Sequence, residues 1–236
     1  MEKSSQTEGS KTIPGMLRES RDFVVGCILN SALIFGVIVF EWSLVEIAVI
    51  YLIEIAVINL LFFSVALFTP QPVDDLDGDS WDEEPTPIQP IGLLPPVYWR
   101  NINYVLRKAV IAAFLLTIVM RPVLSGYGLD SGLPLSVWLA IASTVFFQSS
   151  RVWRYFIVNR SYQDKSPADA MAFAFAPIFE LFLLLVFVVA PVSFVIIGTG
   201  TDLDSRTVWL FYLIPMGAIR AWIGSLDPQT DDFSVK

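Results

Sequence analysis

The sequence predicts an all-α integral membrane protein, a polytopic bundle of six transmembrane helices. Three observations lead to this fold class. The 236-residue chain is 55% hydrophobic and only 16% charged, whereas soluble domains are about 25% charged. Apolar stretches approaching the ~20 residues that cross a bilayer recur along the chain. The basic residues between these stretches fall almost entirely on one predicted side of the membrane, as the positive-inside rule requires.

Six apolar stretches account for the predicted spans. In chain order they are Phe23–Phe40, Leu44–Phe68, Ala109–Met120, Leu133–Ser150, Met171–Ile197 and Thr207–Ile223. The third is short because Lys108 and Arg121 flank it, and both side chains must reach toward the headgroups. The sixth carries Arg220 in its last turn. A four-span interpretation stays open, but it would leave two apolar segments in water.

The distribution of charge sets the predicted topology. With six spans and the N-terminus inside, thirteen of the fifteen Lys and Arg residues fall on the inner side, and the exceptions are Arg121 and Arg206. We therefore expect a cell-membrane protein with both termini cytoplasmic. Residues 1–22 form a cytoplasmic tail in this interpretation, because they lack the early apolar core of a secretory signal. Residues 23–226 form the membrane domain, and 227–236 form a second cytoplasmic tail.

An acidic, proline-rich loop, residues 69–101, connects the second and third spans on the inner side. Residues 71–87 contain seven carboxylates and no basic residue. Such a composition does not build a packed core, so we expect extended or disordered chain. The alternating aspartates of Asp75–Asp79 resemble the start of a calcium loop, but Ser80 and Thr86 replace the glycine and glutamate that such a loop needs. A solvated acidic linker is the better interpretation.

Several function classes are disfavoured by composition. A net charge of −8 argues against nucleic acid as a partner. The chain has no histidine and a single cysteine, Cys27, so the usual general base and the commonest metal ligand are missing. Gly198–Gly200 is too short for a phosphate-binding loop. We expect no catalytic constellation, no metal and no cofactor.

Four polar residues inside the predicted spans are the candidate functional groups: Glu54, Glu180, Asn30 and Asn59. Glu54 lies ten residues past the outer start of its span, about 15 Å along a helix and near the midplane. Glu180 lies at a similar depth. A charge there costs at least ~2.5 kcal/mol by insertion scales. Every basic residue maps to a span end, so these carboxyl groups suit a proton or cation pathway. The alternative is structural, with a protonated Glu hydrogen-bonded to a neighbouring helix.

The two carboxylates occupy similar places in the two halves of the chain. Each lies in the middle helix of a three-span half, and these two helices run in opposite directions. Inverted repeats of this kind place transport sites at the repeat interface near the midplane. Pro177 and Pro191 are expected to bend the fifth span around Glu180 and to free backbone carbonyl groups. We treat the inverted repeat as a hypothesis.

Small residues recur at four-residue spacing in three predicted spans, where they permit close helix contact. They are Ser136, Ala140 and Thr144 with Gln148 on the same face, the pairs Ala170/Ala174 and Ala172/Ala176, and the pair Gly217/Ala221. Packing within the bundle explains most such stripes. A homodimer seam is the other interpretation.

The strings Trp42–Glu46 and Tyr51–Glu54, the spacing of the spans and the ending Pro215–Arg220 resemble a known group of sequences. This group is the haloarchaeal branch of a widespread six-span membrane family catalogued as a domain of unknown function. The resemblance covers most of residues 23–226 and implies a six-span topology and a haloarchaeal type of source, with which the acidic composition agrees. Members often carry histidines in spans three to five, and this chain has none.

Two function classes remain from the sequence. In the first, the protein moves or senses a proton or small cation, with Glu54 as the carrier and Glu180, Asn30 and Asn59 lining the route. In the second, it is a non-catalytic membrane scaffold or subunit. Its acidic loop or small-residue stripes would then bind another membrane protein or a second copy of the chain.

Overall fold

The computed structural model describes residues 24, 28, 31–73, 87–89, 95–126, 132–200 and 206–225. These residues are mostly helical, as the sequence predicts. The helical segments are α1 (31–39), α2 (Leu44–Phe68), α3 (Trp99–Gly126), α4 (Leu135–Val152), α5 (Pro167–Leu184), α6 (Ala190–Thr199) and α7 (Arg206–Ser225). Two strands of two residues each, β1 (Pro87–Ile88) and β2 (Val97–Tyr98), pair in antiparallel register.

The first long helix, α2, begins at a capping box. The Ser43 hydroxyl accepts a hydrogen bond from the backbone N–H of Glu46, and the Glu46 carboxylate accepts one from the backbone N–H of Ser43. Ser166 and Asp169 form the same reciprocal pair at the start of α5. Each box satisfies backbone N–H groups that have no partner within the first helical turn. The helices of the second and fifth predicted spans therefore both begin at a capping box.

Close contacts divide the chain into two compact units. One is Phe40–Val186, and the other combines Met1–Val39 with Phe187–Lys236. In the first unit, α2 is the central helix and packs against α5, α3 and α4. The two units do not coincide with the two three-span halves of the inverted-repeat hypothesis.

The core of the first unit lies around the second half of α2. Its buried side chains come from α2, α3, the end of α4 with the turn after it, and the first turns of α5: Phe63, Val65, Ala66, Val105, Ala112, Val152, Tyr155, Phe156, Ala170, Met171 and Ala174. The Phe62 ring meets that of Phe156 edge to face, with 5.4 Å between centroids, a favoured aromatic geometry. This core fixes the rotation of α2 about its own axis.

The fifth predicted span forms α5, a π-helical turn at Leu185–Val189, and α6. The wide turn comes just before Pro191, which has no backbone N–H and cannot bond to the carbonyl four residues earlier. Helix α5 itself continues through Pro177. The irregularity that the sequence predicts around Glu180 thus lies after it. At its other end α6 stops at Gly200, whose φ of 67° is a left-handed conformation that glycine adopts readily.

In the second unit, the described contacts join α6 and α7. Ile196 and Tyr212 form a small core with Val189, Val192 and Trp209. The hydroxyl groups of Ser193 and Tyr212 lie 2.8 Å apart in a hydrogen bond. A polar pair of this kind is a common link between neighbouring helices in membranes.

Three helices of the described chain are long and apolar enough to cross a membrane: Val45–Phe68, Trp99–Arg121 and Pro167–Thr199. They correspond to the second, third and fifth predicted spans. Helix α4 covers the fourth predicted span with 18 residues, and α7 contains a shorter apolar segment, Trp209–Ala218. The first predicted span contains α1 (31–39), and its residues 23, 25–27, 29 and 30 lie outside the described residues. These three apolar helices support the interpretation that the chain is a membrane protein.

Much of the acidic loop lies outside the described residues, at 74–86 and 90–94. The parts that are described hold β1 and β2, where Pro87 pairs with Tyr98 and Ile88 with Val97. This pairing brings the two ends of the segment 89–96 together beside the start of α3. The tails at residues 1–22 and 227–236 also lie outside the described residues.

Candidate functional site

Glu54 is buried at the centre of the first unit, with 4% of its surface exposed. The side-chain amide of Gln148 on α4 donates a hydrogen bond of 2.8 Å to its Oε1 atom. The donor is a neutral amide, so this contact neutralises no charge.

Glu180 is also buried, with 8% of its surface exposed. The hydroxyl group of Tyr51 on α2 donates a hydrogen bond of 3.2 Å to its Oε1 atom. Tyr51 is itself 5% exposed. The contact joins α2 to α5, and here too the donor is neutral. Both candidate carboxylates therefore receive hydrogen bonds from neutral side chains of a neighbouring helix.

The two contacts meet on one face of α2. Tyr51 and Glu54 are three residues apart, a spacing that places side chains side by side, with Cβ atoms about 5–6 Å apart. Tyr51 contacts Glu180 from α5, and Glu54 contacts Gln148 from α4. The structure thus assembles a group of four buried polar residues on three helices. We call these four residues the carboxyl cluster.

The two candidate asparagines behave differently. The Asn59 side chain is buried on α2, and its Nδ2 donates to the Ile55 carbonyl at 2.8 Å, one turn earlier on the same helix. Its Oδ1 has no hydrogen-bond partner among the residues that the structure describes. Asn30 lies outside the described residues. Asn59 is therefore a buried polar group close to the carboxyl cluster in sequence, without a described contact to it.

The small-residue stripe of α4 faces α2. Ser136 accepts a hydrogen bond of 2.9 Å from the Trp42 indole N–H, and Gln148 reaches Glu54. The sequence predicts a position at the membrane interface for Trp42, Trp99 and Trp153, which lie near span ends, and this stays a prediction. The Trp42 side chain is buried, whereas those of Trp99 and Trp153 are exposed.

The two alanine pairs of α5 separate into two environments. Ala170 and Ala174 are buried in the core of the first unit. Ala172 and Ala176 are exposed. Packing within the bundle therefore explains the first pair. Gly217 on α7 is buried, and the side chain of its predicted partner Ala221 lies outside the described residues.

The C-terminal end of α2 is held by α3. Asn101 has no exposed surface, and its Nδ2 donates to the carbonyl groups of Ala66 at 2.9 Å and Thr69 at 2.8 Å. The Arg100 guanidinium donates to the carbonyl of Pro70. These donors satisfy carbonyl groups that the last turn of a helix leaves without partners. Asn101 is thus a structural residue at the end of the helix that carries Glu54.

Sequence reasoning missed Tyr51 as a functional side chain and placed Gln148 only on a packing stripe. A signal for Gln148 was present, because a glutamine within an apolar span usually has a partner. Tyr51 gives a weaker signal, since tyrosines are common in membrane helices. What distinguishes it is the spacing of three residues from Glu54, which places both on one face.

No protein-family model, curated protein or solved structure matches this chain. Within the part of the chain that the structure describes, no group of three or more Cys, Asp or Glu side chains is placed to hold a metal ion. The functional argument therefore depends on the geometry of the carboxyl cluster.

Proposed function

We propose that this protein moves or senses protons or small cations across a membrane, with Glu54 as the carrier group. Glu180 acts as the second acidic group of the same path. Asn59 and Asn30 are the other polar residues proposed to line it. The protein is proposed to lie in the cell membrane with six spans and both termini in the cytoplasm, as in the six-span family that its sequence resembles.

The observation that carries the proposal is the burial of Glu54 in a helix long enough to span a bilayer. A carboxyl group at such a site costs several kcal/mol unless it has a partner or a function. The side-chain amide of Gln148 donates a hydrogen bond to it. Glu180 is likewise buried and accepts a hydrogen bond from Tyr51. Acidic groups inside membrane-spanning helices are typical of ion pathways and proton relays, and this supports proton or cation exchange.

The proposed six spans combine structure and sequence. Three helices have the length and composition of spans. Helices α4 and α7 and the segment around α1 supply the other three, and the distribution of basic residues favours this count over four. The competing proposal is a scaffold in which Glu54 and Glu180 only join helices.

Flux through purified protein in liposomes tests the proposal. The variant Glu54→Gln keeps an oxygen that accepts the hydrogen bond from Gln148, so its fold should be retained while the titrating group is lost. We expect proton and cation flux to fall to the level of protein-free vesicles. Glu180→Gln should reduce flux for the same reason.

The matched control is Asp164→Asn, an equivalent change at an exposed carboxylate in the turn after α4. Its flux should equal that of the unaltered protein. If Glu54→Gln conducts as well as this control, the transport proposal is wrong and the scaffold proposal is favoured. Melting of each variant in detergent shows whether a loss of flux follows from unfolding.

A further inference from the structure

We infer that the ion is the proton, and that the Tyr51 hydroxyl relays it between Glu54 and Glu180. This inference rests on the proposed function and deepens it by naming the ion and a third residue. It assigns Tyr51 a role in transfer, where a purely structural account would leave it as a link between α2 and α5.

The hydrogen bonds of the carboxyl cluster favour a proton over a metal cation. Gln148 directs an N–H at Oε1 of Glu54, and Tyr51 directs an O–H at Oε1 of Glu180. A metal cation such as Ca²⁺ needs six or more oxygen ligands, whereas a proton needs a single acceptor atom and can move along a hydrogen bond that is already made. Both described contacts place a hydrogen atom against a carboxyl oxygen. This geometry suits the uptake and release of a proton.

Tyr51 has the chemistry and the position for a relay. A phenol hydroxyl donates one hydrogen bond and accepts others. Its donated hydrogen bond goes to Glu180 at 3.2 Å, and Glu54 lies three residues further along the same helix face. All three side chains are buried. The relay requires the Glu54 carboxyl group to reach the Tyr51 oxygen, and the three-residue spacing places their Cβ atoms about 5–6 Å apart on α2.

The transfer balances without any further reactant. The O–H bond of protonated Glu54 breaks as its proton bonds to the Tyr51 oxygen. The original O–H bond of Tyr51 breaks in the same event, and that proton bonds to Oε1 of the ionised Glu180. The net change is one proton moved from Glu54 to Glu180, with tyrosine neutral before and after. Rotation about the phenol C–O bond then restores the first orientation of the hydroxyl group.

The test is Tyr51→Phe, which keeps the ring and removes the hydroxyl. The matched control is Tyr212→Phe, which removes a buried hydroxyl that is hydrogen-bonded to Ser193. Both proteins are reconstituted in liposomes with a pH-sensitive dye inside, beside Glu54→Gln and the unaltered protein. We expect Tyr51→Phe to reduce proton flux to the level of Glu54→Gln, and Tyr212→Phe to leave it unchanged.

Two further readouts test what the relay requires, namely a protonated Glu180 and the proton as the ion that moves. Infrared difference spectra should show a protonated carboxyl band that is absent in Glu180→Gln and that shifts to higher frequency in Tyr51→Phe, because its hydrogen bond is lost. Proton flux through the unaltered protein should be slower in D₂O than in H₂O. The isotope measurement uses the unaltered protein. It can therefore be made even if Tyr51→Phe fails to fold.

The outcomes distinguish this inference from the proposed function. Full proton flux in Tyr51→Phe with loss in Glu54→Gln overturns the relay and leaves the carrier role of Glu54. A flux of Na⁺ or K⁺ that depends on Glu54, without proton flux, also overturns it. An equal rate in H₂O and D₂O contradicts proton transfer as the slow step of the relay. Flux that does not depend on Glu54 removes both the function and the relay.

Discussion

The side-chain amide of Gln148 donates a hydrogen bond of 2.8 Å to Oε1 of Glu54 and so joins α4 to the central helix α2. Replacing the donor by leucine leaves Glu54 buried without this bond. We expect Gln148→Leu to lower the free energy of unfolding by about 1–3 kcal/mol, the usual cost of a buried group that loses its partner. Unfolding by sodium dodecyl sulfate in mixed micelles, followed by circular dichroism, measures it.

A double-mutant cycle isolates this contact. Glu54→Leu combined with Gln148→Leu should recover part of the loss, with a coupling energy near the average of about 0.6 kcal/mol, and at most about 1.7 kcal/mol, measured between membrane helices. Ser143→Leu is the control, because Ser143 is an exposed residue of α4 that bonds within its own helix. Equal unfolding free energies for Gln148→Leu and Ser143→Leu would show that the contact contributes nothing.

The sequence predicts the elements of this site better than it predicts their contacts. Leu44–Phe68 is apolar throughout, so its helix and the depth of Glu54 follow from length and composition alone. The same uniformity hides which face of α2 meets which neighbour, because hydrophobic periodicity orients a helix only where polar and apolar faces differ. The pairings Glu54 with Gln148 and Tyr51 with Glu180 depend on that rotation. They become visible only when α2 is packed.

Trp42 illustrates the same limit at a helix end. Its side chain is buried, and its indole N–H donates to Ser136, 94 residues away. Its neighbours in the sequence give no sign of this contact, and Trp99, which also lies near a span end, is exposed.

The prolines of the fifth predicted span show a limit of local reasoning. The wide turn lies just before Pro191, as the missing N–H of proline leads one to expect. Helix α5 continues through Pro177, which lacks the same group. The local property is therefore visible in the sequence, but the place where the helix changes depends on packing.

Asn101 provides a second test of packing, at the C-terminal end of α2. Asn101→Leu keeps a side chain of similar size but removes both hydrogen bonds to the carbonyl groups of Ala66 and Thr69. We expect a loss of about 1–3 kcal/mol in unfolding free energy, because two buried acceptors lose a donor. Asn103→Leu, at an exposed position of α3, should change it by less than about 0.5 kcal/mol. Equal effects of the two substitutions would contradict the capping role.

The alanines of α5 permit a matched comparison on one helix. Ala174 has no exposed surface, whereas Ala172 is exposed. Ala174→Leu inserts atoms into a filled core and should cost about 1–3 kcal/mol. Ala172→Leu should be close to neutral, since leucine is as apolar as the surrounding lipid. Melting temperature in detergent compares the two proteins. A larger loss in Ala172→Leu would instead indicate that this face contacts a second copy or another protein.

The proposed topology predicts which loops a membrane-impermeant thiol reagent reaches from each side. The reporters are single cysteines introduced by Asp79→Cys, Asp130→Cys and Asp202→Cys in a Cys27→Ser background. Thirteen of the fifteen basic residues mark the inner side, so Asp79→Cys should be labelled only after the cells are opened. The other two should be labelled in intact cells. A four-span protein would place at least one of the three reporter cysteines on the opposite side of the membrane. Labelling from that side would overturn the six-span proposal. The carboxyl cluster of α2, α4 and α5 would not be affected by this result.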